Sequence, residues 1–178
     1  DMNKLRKEPR SIVVFVPDAS DLDPWITVRQ NILFTAALYD VPEKIANQRL
    51  LRYSNELMLN SYLDSLILDI SHGIHKKIML VRELIHDPDV LIIDEPTSYM
   101  DAESSRLTWD LLKKLKGNKS IIYVSNSLHE VEDCHDRILV FHEGRVIMDW
   151  HVDLLLNSTL DYHQFQIEFV TLSDELYK

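Results

Sequence analysis

Two carboxylates directly after four apolar residues are the positions of this chain best suited to chemistry. They lie in Val90-Leu91-Ile92-Ile93-Asp94-Glu95, and Pro96-Thr97-Ser98 and then Asp101 follow. A short apolar run bounded by turn residues reads as a strand buried on both faces. In an open parallel α/β sheet, ligands bind beyond the carboxyl ends of the strands, which puts Asp94 and Glu95 where phosphate chemistry takes place. An aspartate there can hold a magnesium ion, and an adjacent glutamate can orient and deprotonate a water.

The elements that must position this pair can be read on both sides of it. Ser11–Val16 is rich in β-branched residues and reads as a strand closed by Pro17. A polar loop over 18–24 leads to Thr27, a helix N-cap with Gln30 at the capping-box position, and this helix runs to about Tyr39. Asp40-Val41-Pro42 breaks it. A second helix covers Pro42 to Leu59, with Leu50, Leu51, Leu57 and Met58 expected on one side. After an apolar connector over Tyr62–Leu68, Ser71 can cap a helix that Asp87-Pro88 ends. Beyond the acidic pair, Asp101 caps a helix to about Lys116 with Leu107, Leu111, Leu112 and Leu115 as its core stripe, and Gly117-Asn118 stops it. Ser120–Ser125 reads as a strand, Leu128–His135 as a short helix, and Arg137–Phe141 with Arg145–Met148 as a hairpin around Glu143-Gly144. Val152–Leu156 and Phe165–Val170 read as a last helix and strand. Strands alternating with helices imply an α/β fold with a mostly parallel sheet flanked by helices.

Composition sets bounds. At 178 residues a single domain is the natural expectation. No apolar run approaches the ~18–20 residues that span a bilayer, and the N-terminal residues show no secretory pattern. One cysteine, Cys134, rules out an internal disulfide and suits a reducing compartment. A net charge of −10 argues against a nucleic-acid partner and against direct adhesion to anionic lipid.

Val90–Asp101 resembles the Walker B strand and D-loop of the ATP-binding-cassette (ABC) ATPases, whose usual form is four apolar residues, Asp-Glu-Pro-Thr and then Ser-Gly-Leu-Asp. Ile70-Ser71-His72-Gly73-Ile74 stands where that family has its Leu-Ser-Gly-Gly-Gln signature, and Lys76 to Pro88 matches the signature helix. Phe15-Val16-Pro17-Asp18 resembles the Q-loop, Thr27-Val28-Arg29-Gln30-Asn31 a family helix start, and Val124-Ser125-Asn126 the switch region. The similarity covers roughly Ser11 to Trp150. It implies a P-loop NTPase-like fold, with an ABC ATPase domain in residues 1–150, a helical signature subdomain at about 25–87, and an accessory segment in 151–178.

The resemblance also implies roles. Asp94 and Asp18 would contact magnesium and Glu95 would be the general base for attack on the γ-phosphate of ATP. Asn126 stands in the place of the switch histidine. Asp18 stands where the family has glutamine, and Ser71, Gly73 and Asp101 would face nucleotide across a dimer. An aspartate at 18 adds charge near phosphate: two unit charges ~6 Å apart repel by about 3 kcal/mol at an effective dielectric near 20. His72 replaces a glycine and Ile74 the usual glutamine of the signature. Gln30 fits a capping box better than it fits the lost glutamine. None of the three glycines, Gly73, Gly117 and Gly144, opens a G-x-x-x-x-G-K-S/T pattern, the loop that cradles phosphates. The family places that loop's strand and helix at the middle of the core, so the Walker B strand is expected to lack a central partner until another segment or polypeptide supplies it.

The function implied is the ATP-binding part of an ABC transporter of the exporter type, with ATP and Mg2+ as cofactors. Its partners would be a second ABC ATPase domain, in a homo- or heterodimer, and a transmembrane subunit touching residues 18–39. It would sit in the cytoplasm on the inner face of the cell membrane through that subunit. The alternative is a degenerate, non-enzymatic cassette that supports or regulates an active ATPase. Positioning and charge stabilisation supply nearly all of phosphoryl-transfer catalysis, so purified protein of these 178 residues is expected to give no multiple-turnover ATP hydrolysis in a phosphate-release assay.

Overall fold

Alternating burial along three short strands sets the architecture. The computed structural model describes residues 12–126 and 136–151, which fall in two compact units, the first ending at Glu130. In the first unit, β1 (Val13–Val16), β2 (Val90–Asp94) and β3 (Ser120–Val124) form a parallel sheet in the order β1-β2-β3. Val14, Val16, Leu91 and Ile93 point to one face and are buried. On the other face Val13, Phe15, Ile122 and Val124 are each about half exposed, and Val90 and Ile92 are half-buried. The expectation of a strand buried on both faces therefore holds for one face only among the described residues. A second expectation is also corrected. β2 has a strand on each side, paired in register as Phe15, Ile92 and Ile122. The edges left open among the described residues belong to β1 and β3 rather than to the Walker B strand.

Four helices follow from local sequence. α1 (Val28–Leu38) begins with the expected capping box: Thr27 Oγ1 accepts from Gln30 N at 3.2 Å and Gln30 Oε1 accepts from Thr27 N at 2.8 Å. Buried Asn31 fastens the preceding loop by accepting from Asp23 N and donating to Asp23 O. α2 (Glu43–Glu56) buries Leu50, and Leu57 follows it into the core, but Leu51 and Met58 are more than half exposed. Leu51 is ~100° round the helix from Leu50 and falls outside the buried stripe, whereas Met58 lies past the end of α2 in a left-handed conformation, φ +55. Two short 3₁₀ turns, Asn60–Tyr62 and Ile67–Asp69, form the connector.

α3 (His72–Leu84) is the central helix, with every residue from Lys76 to Val81 buried. Six consecutive buried residues go right round a helix, so α3 is enclosed by its neighbours over this stretch, and it packs on α1, α2 and β1. α4 (Ala102–Leu115) contributes Leu111, Leu112 and Leu115 to the same core, while Leu107 packs at its margin. Trp109 meets Tyr123 of β3 edge to face at 5.0 Å. Gly117 takes φ +92, which ends α4 as expected.

The second unit is described as one antiparallel hairpin, β4 (Arg137–His142) with β5 (Arg145–His151). Glu143 and Gly144 both have positive φ, the two-residue turn that matches strand twist. The expected helices at Leu128–His135 and Val152–Leu156 and the strand at Phe165–Val170 lie outside the described residues, as does nearly all of segment 151–178.

The two sheet faces should respond differently to substitution. Leu91→Ala on the covered face is expected to cost about 2–5 kcal/mol, whereas Ile122→Thr on the bare face should stay within about 1 kcal/mol, both read from urea unfolding.

Candidate functional site

The end of β2 delivers the two carboxylates into a left-handed turn. Glu95 has φ +47, a conformation L-residues avoid at a cost of roughly 1–2 kcal/mol. Its surroundings fix it there: Glu95 N donates to Val124 O at 2.8 Å and Ser98 N donates to Glu95 O at 3.2 Å. The carboxylate turns toward the end of β3, where Glu95 Oε1 accepts from the backbone N–H of Asn126 at 3.0 Å. Asn126 thus reaches the acidic residue through its main chain, a contact that does not depend on its side chain.

α3 supplies a buried cation to this turn. Lys76, only 3 % exposed, donates from Nζ to Pro17 O at 2.8 Å and also to Asp94 O, with Asp18 Oδ1 at 3.5 Å. Asp18 Oδ1 in addition accepts from Ser98 Oγ at 2.6 Å. Burial pushes the Lys76 ammonium below its ordinary value, and the nearby Asp18 carboxylate opposes that shift. Lys77, equally buried, donates to Leu57 O and Ser104 Oγ. Residues 18, 94, 95 and 126, expected together from the sequence, are linked by these contacts.

The signature and D-loop residues lie at the N-terminus of α3 and beside it. Ser71 has the extended backbone of an N-cap, but its side chain makes no capping bond. Asp101 does cap α4: Oδ1 accepts from Ser104 N at 2.8 Å and Oδ2 from Ser104 Oγ at 3.1 Å, which holds its carboxyl below the usual range. Gly73 is required by close approach, because a Cβ there would stand 2.4 Å from Tyr99 O. Tyr99 itself has φ +63 and is largely exposed, with its ring 6.3 Å from that of His72. Between these elements lies a cleft of about 370 Å³ lined by Asp18, His72, His75, Lys76, Ser98 and Tyr99 among others.

The oxygen donors suit magnesium in part. The Asp94 and Glu95 carboxylates stand at a strand end, whereas that of Asp18 is engaged by Ser98 and Lys76. Among the described residues no group of three or more His, Cys, Asp or Glu converges as a metal cage. Magnesium at Asp94 would take its remaining ligands from water and phosphate, as it commonly does. Sequence reasoning did not single out Lys76, Lys77 or Ser98. The signal for the lysines was present: two adjacent cations directly before Ile78-Met79-Leu80-Val81 can only be buried if the helix is enclosed on all sides.

The chain was compared with known proteins. A family profile described as ABC transporter matches residues 1–98. The chain is 30% identical over 174 residues to "Nod factor export ATP-binding protein I" of Burkholderia lata, which covers 96% of this chain and 57% of that protein. It is 28% identical over 134 residues to "ABC transporter ATP-binding protein NatA" of Bacillus subtilis, covering 75% of this chain and 54% of that one. The chain therefore spans little more than half the length of these curated relatives. Among solved structures, an ATP-binding subunit of an ABC transporter superposes with a TM-score of 0.75 at 24% identity, over 82% of this chain and 61% of that one. A dimeric ATP-binding cassette in a post-hydrolysis state with ADP and Pi superposes with a TM-score of 0.70 at 21% identity, over 80% of this chain and 63% of that one. The fold is that of the ABC ATPase domains, with its parallel sheet flanked by helices.

The contact at Gly73 is with backbone atoms, which cannot swing aside. Alanine normally gains up to about 1 kcal/mol over glycine inside a helix. Here Gly73→Ala is expected to lose a net ~1 kcal/mol because overpacking against rigid neighbours costs more, measured as a lowered urea midpoint.

Proposed function

The chain belongs to the ABC transporter family, and from that premise we propose that it is the ATP-binding part of an exporter-type ABC transporter, coupling ATP binding and hydrolysis to movement through a membrane partner. The observation that carries the proposal is the Asp94–Glu95 pair at the carboxyl end of the central strand, with Glu95 held in a left-handed turn against the end of β3. In this reading Asp94 holds magnesium through water, and Glu95 takes the proton of the water that attacks the γ-phosphate. Asn126 keeps the switch segment against Glu95. Ser71, Gly73 and Asp101 face nucleotide bound by a second ABC ATPase domain, in a homo- or heterodimer. Residues 1–150 form the ATPase part and 151–178 an accessory segment.

The missing phosphate cradle has a natural place. A strand and helix that carry a P-loop would pair with the open edge of β3 and cover Val13, Phe15, Ile122 and Val124. At about 25 cal/mol per Å², covering such a patch supplies a driving force for that docking. The transmembrane partner would meet residues 18–39, where Trp25, Phe34 and Leu38 are exposed. That contact would hold the domain on the cytoplasmic face of the membrane. Among the described residues no helix is long and apolar enough to cross a membrane, so the attachment proposed is peripheral.

A second reading is a non-enzymatic cassette that supports an active ATPase. It draws on Asn126 in place of a histidine, on the engagement of Asp18 by protein groups, and on His72 and Tyr99 where the family pattern has glycine. One experiment separates the two. With the P-loop segment supplied by co-expression, ATP binding should appear, and Glu95→Gln should cut turnover by ~10²–10⁴-fold with nucleotide affinity little changed. Turnover that survives Glu95→Gln would refute the role of that residue, and binding without turnover in the unsubstituted complex would favour the non-enzymatic reading.

A further inference from the structure

The arrangement at Asp18 goes beyond what the family pattern assigns to that position. Its Oδ1 atom receives a hydrogen bond from Ser98 Oγ at 2.6 Å and faces the Lys76 ammonium at 3.5 Å. The same ammonium donates to the carbonyls of Pro17 and Asp94, the main-chain groups at the ends of β1 and β2. Three segments far apart in sequence meet at one nitrogen: the loop after β1, the turn after β2 and the middle of α3.

We propose that Lys76, Asp18 and Ser98 form a metal-independent latch that fastens the Q-loop to the turn carrying Glu95, with Lys76 as the positioning residue and Asp18 committed to protein partners instead of magnesium. The chemistry supports this assignment. An ammonium has three donors and no acceptor, and two carbonyls and a carboxylate satisfy it, so a buried charge is compensated without a metal. A divalent cation bound to Asp18, even through Oδ2, would stand beside that ammonium, with two like charges on one carboxylate. Glutamine at position 18 could receive the Ser98 hydroxyl but would leave the ammonium without its only carboxylate partner, which gives a reason for aspartate here. By donating to Asp94 O, Lys76 also fixes the peptide plane between Asp94 and Glu95, whose rotation sets the positive φ of Glu95. The inference rests on these contacts and does not require that the chain hydrolyse ATP.

The test uses the full chain without nucleotide. Hydrogen exchange of the bonded amides of Glu95, Ser98 and Met100, in the turn that the latch holds, is followed in the unsubstituted protein, in Asp18→Ala, in Ser98→Ala and in the double variant, with MgCl₂ and with EDTA. Breaking a charge-assisted bond is expected to speed exchange there by ~10-fold or more in each single variant, with no further gain in the double variant and no dependence on magnesium. Lys76→Met should give the same acceleration, and Lys76→Arg should restore most of the protection. If Lys76→Met does not fold, the Asp18 and Ser98 variants, which remove near-surface groups, still decide the matter. Additive effects of Asp18→Ala and Ser98→Ala would overturn the proposal. So would unchanged exchange in Ser98→Ala, or protection of these amides that appears only with magnesium.

Discussion

A charged lysine that is 3 % exposed must be surrounded by oxygen, and this requirement at Lys76 organises much of the first unit. Its nitrogen needs acceptors at bonding distance, and among the described residues these are the carbonyls of Pro17 and Asp94 at the ends of β1 and β2, with the Asp18 carboxylate beside them. For both carbonyls to converge, the two strands must lie side by side in the observed register and α3 must run beneath their carboxyl ends. Removing one partner from such a centre leaves a desolvated charge, which costs far more than an exposed ion pair yields. The same constraint extends downward through Lys77, which ties α3 to the end of α2 and to the first turn of α4. α3 is thus bolted at two successive residues to the sheet above and to the helices below.

Backbone contacts on α3 explain a selective pattern of retained and altered residues. Gly73 stands against the carbonyl of Tyr99 within its own chain, so any side chain there would push the D-loop away from the helix. His72 faces outward and meets no such limit, and a side chain is tolerated there although the family pattern has glycine. Tyr99 carries a cost, since a bulky residue at φ +63 is disfavoured, and its neighbours hold it. Thr97 accepts from Met100 N, and Ser98 is anchored to Asp18. The internal geometry that aims the acidic pair is therefore kept by contacts inside this chain. Of the altered residues, His72 and Tyr99 are exposed beside this geometry, whereas Asp18 is part of it.

Much of this was legible in the sequence because it depends on local rules. The capping box at Thr27, the cap at Asp101, the stop at Gly117 and the central place of Val90–Ile93 each follow from residue type and spacing, and the motif order placed Glu95 near Asn126. Three features were not legible. The exposure of Leu51 and Met58 cannot be told from the burial of Leu50 and Leu57 without knowing where α1 and α3 lie. The latch joins positions 18, 76 and 98, which no periodicity relates. The burial of β2 depends on which layers cover the sheet, and a run of four apolar residues looks the same with one layer or two.

That last ambiguity bears on how the site is completed. Side chains alternate across a strand, and on β2 the parity places Asp94 with Val90 and Ile92 on the bare face, in register with Phe15, Ile122 and Val124 of the flanking strands. The covered face carries Leu91 and Ile93 and packs into the core. The carboxylate to which the proposed function assigns magnesium therefore belongs to the face left bare among the described residues. A P-loop segment that docked there to bury the apolar residues would, by the same approach, bring backbone N–H groups and a cation alongside Asp94. A cover that supplied only apolar contact would leave the Asp94 carboxylate pressed against a low-dielectric surface, which is unfavourable unless it is paired. Under the function proposed above, completing the hydrophobic core and completing the phosphate site would be one structural event.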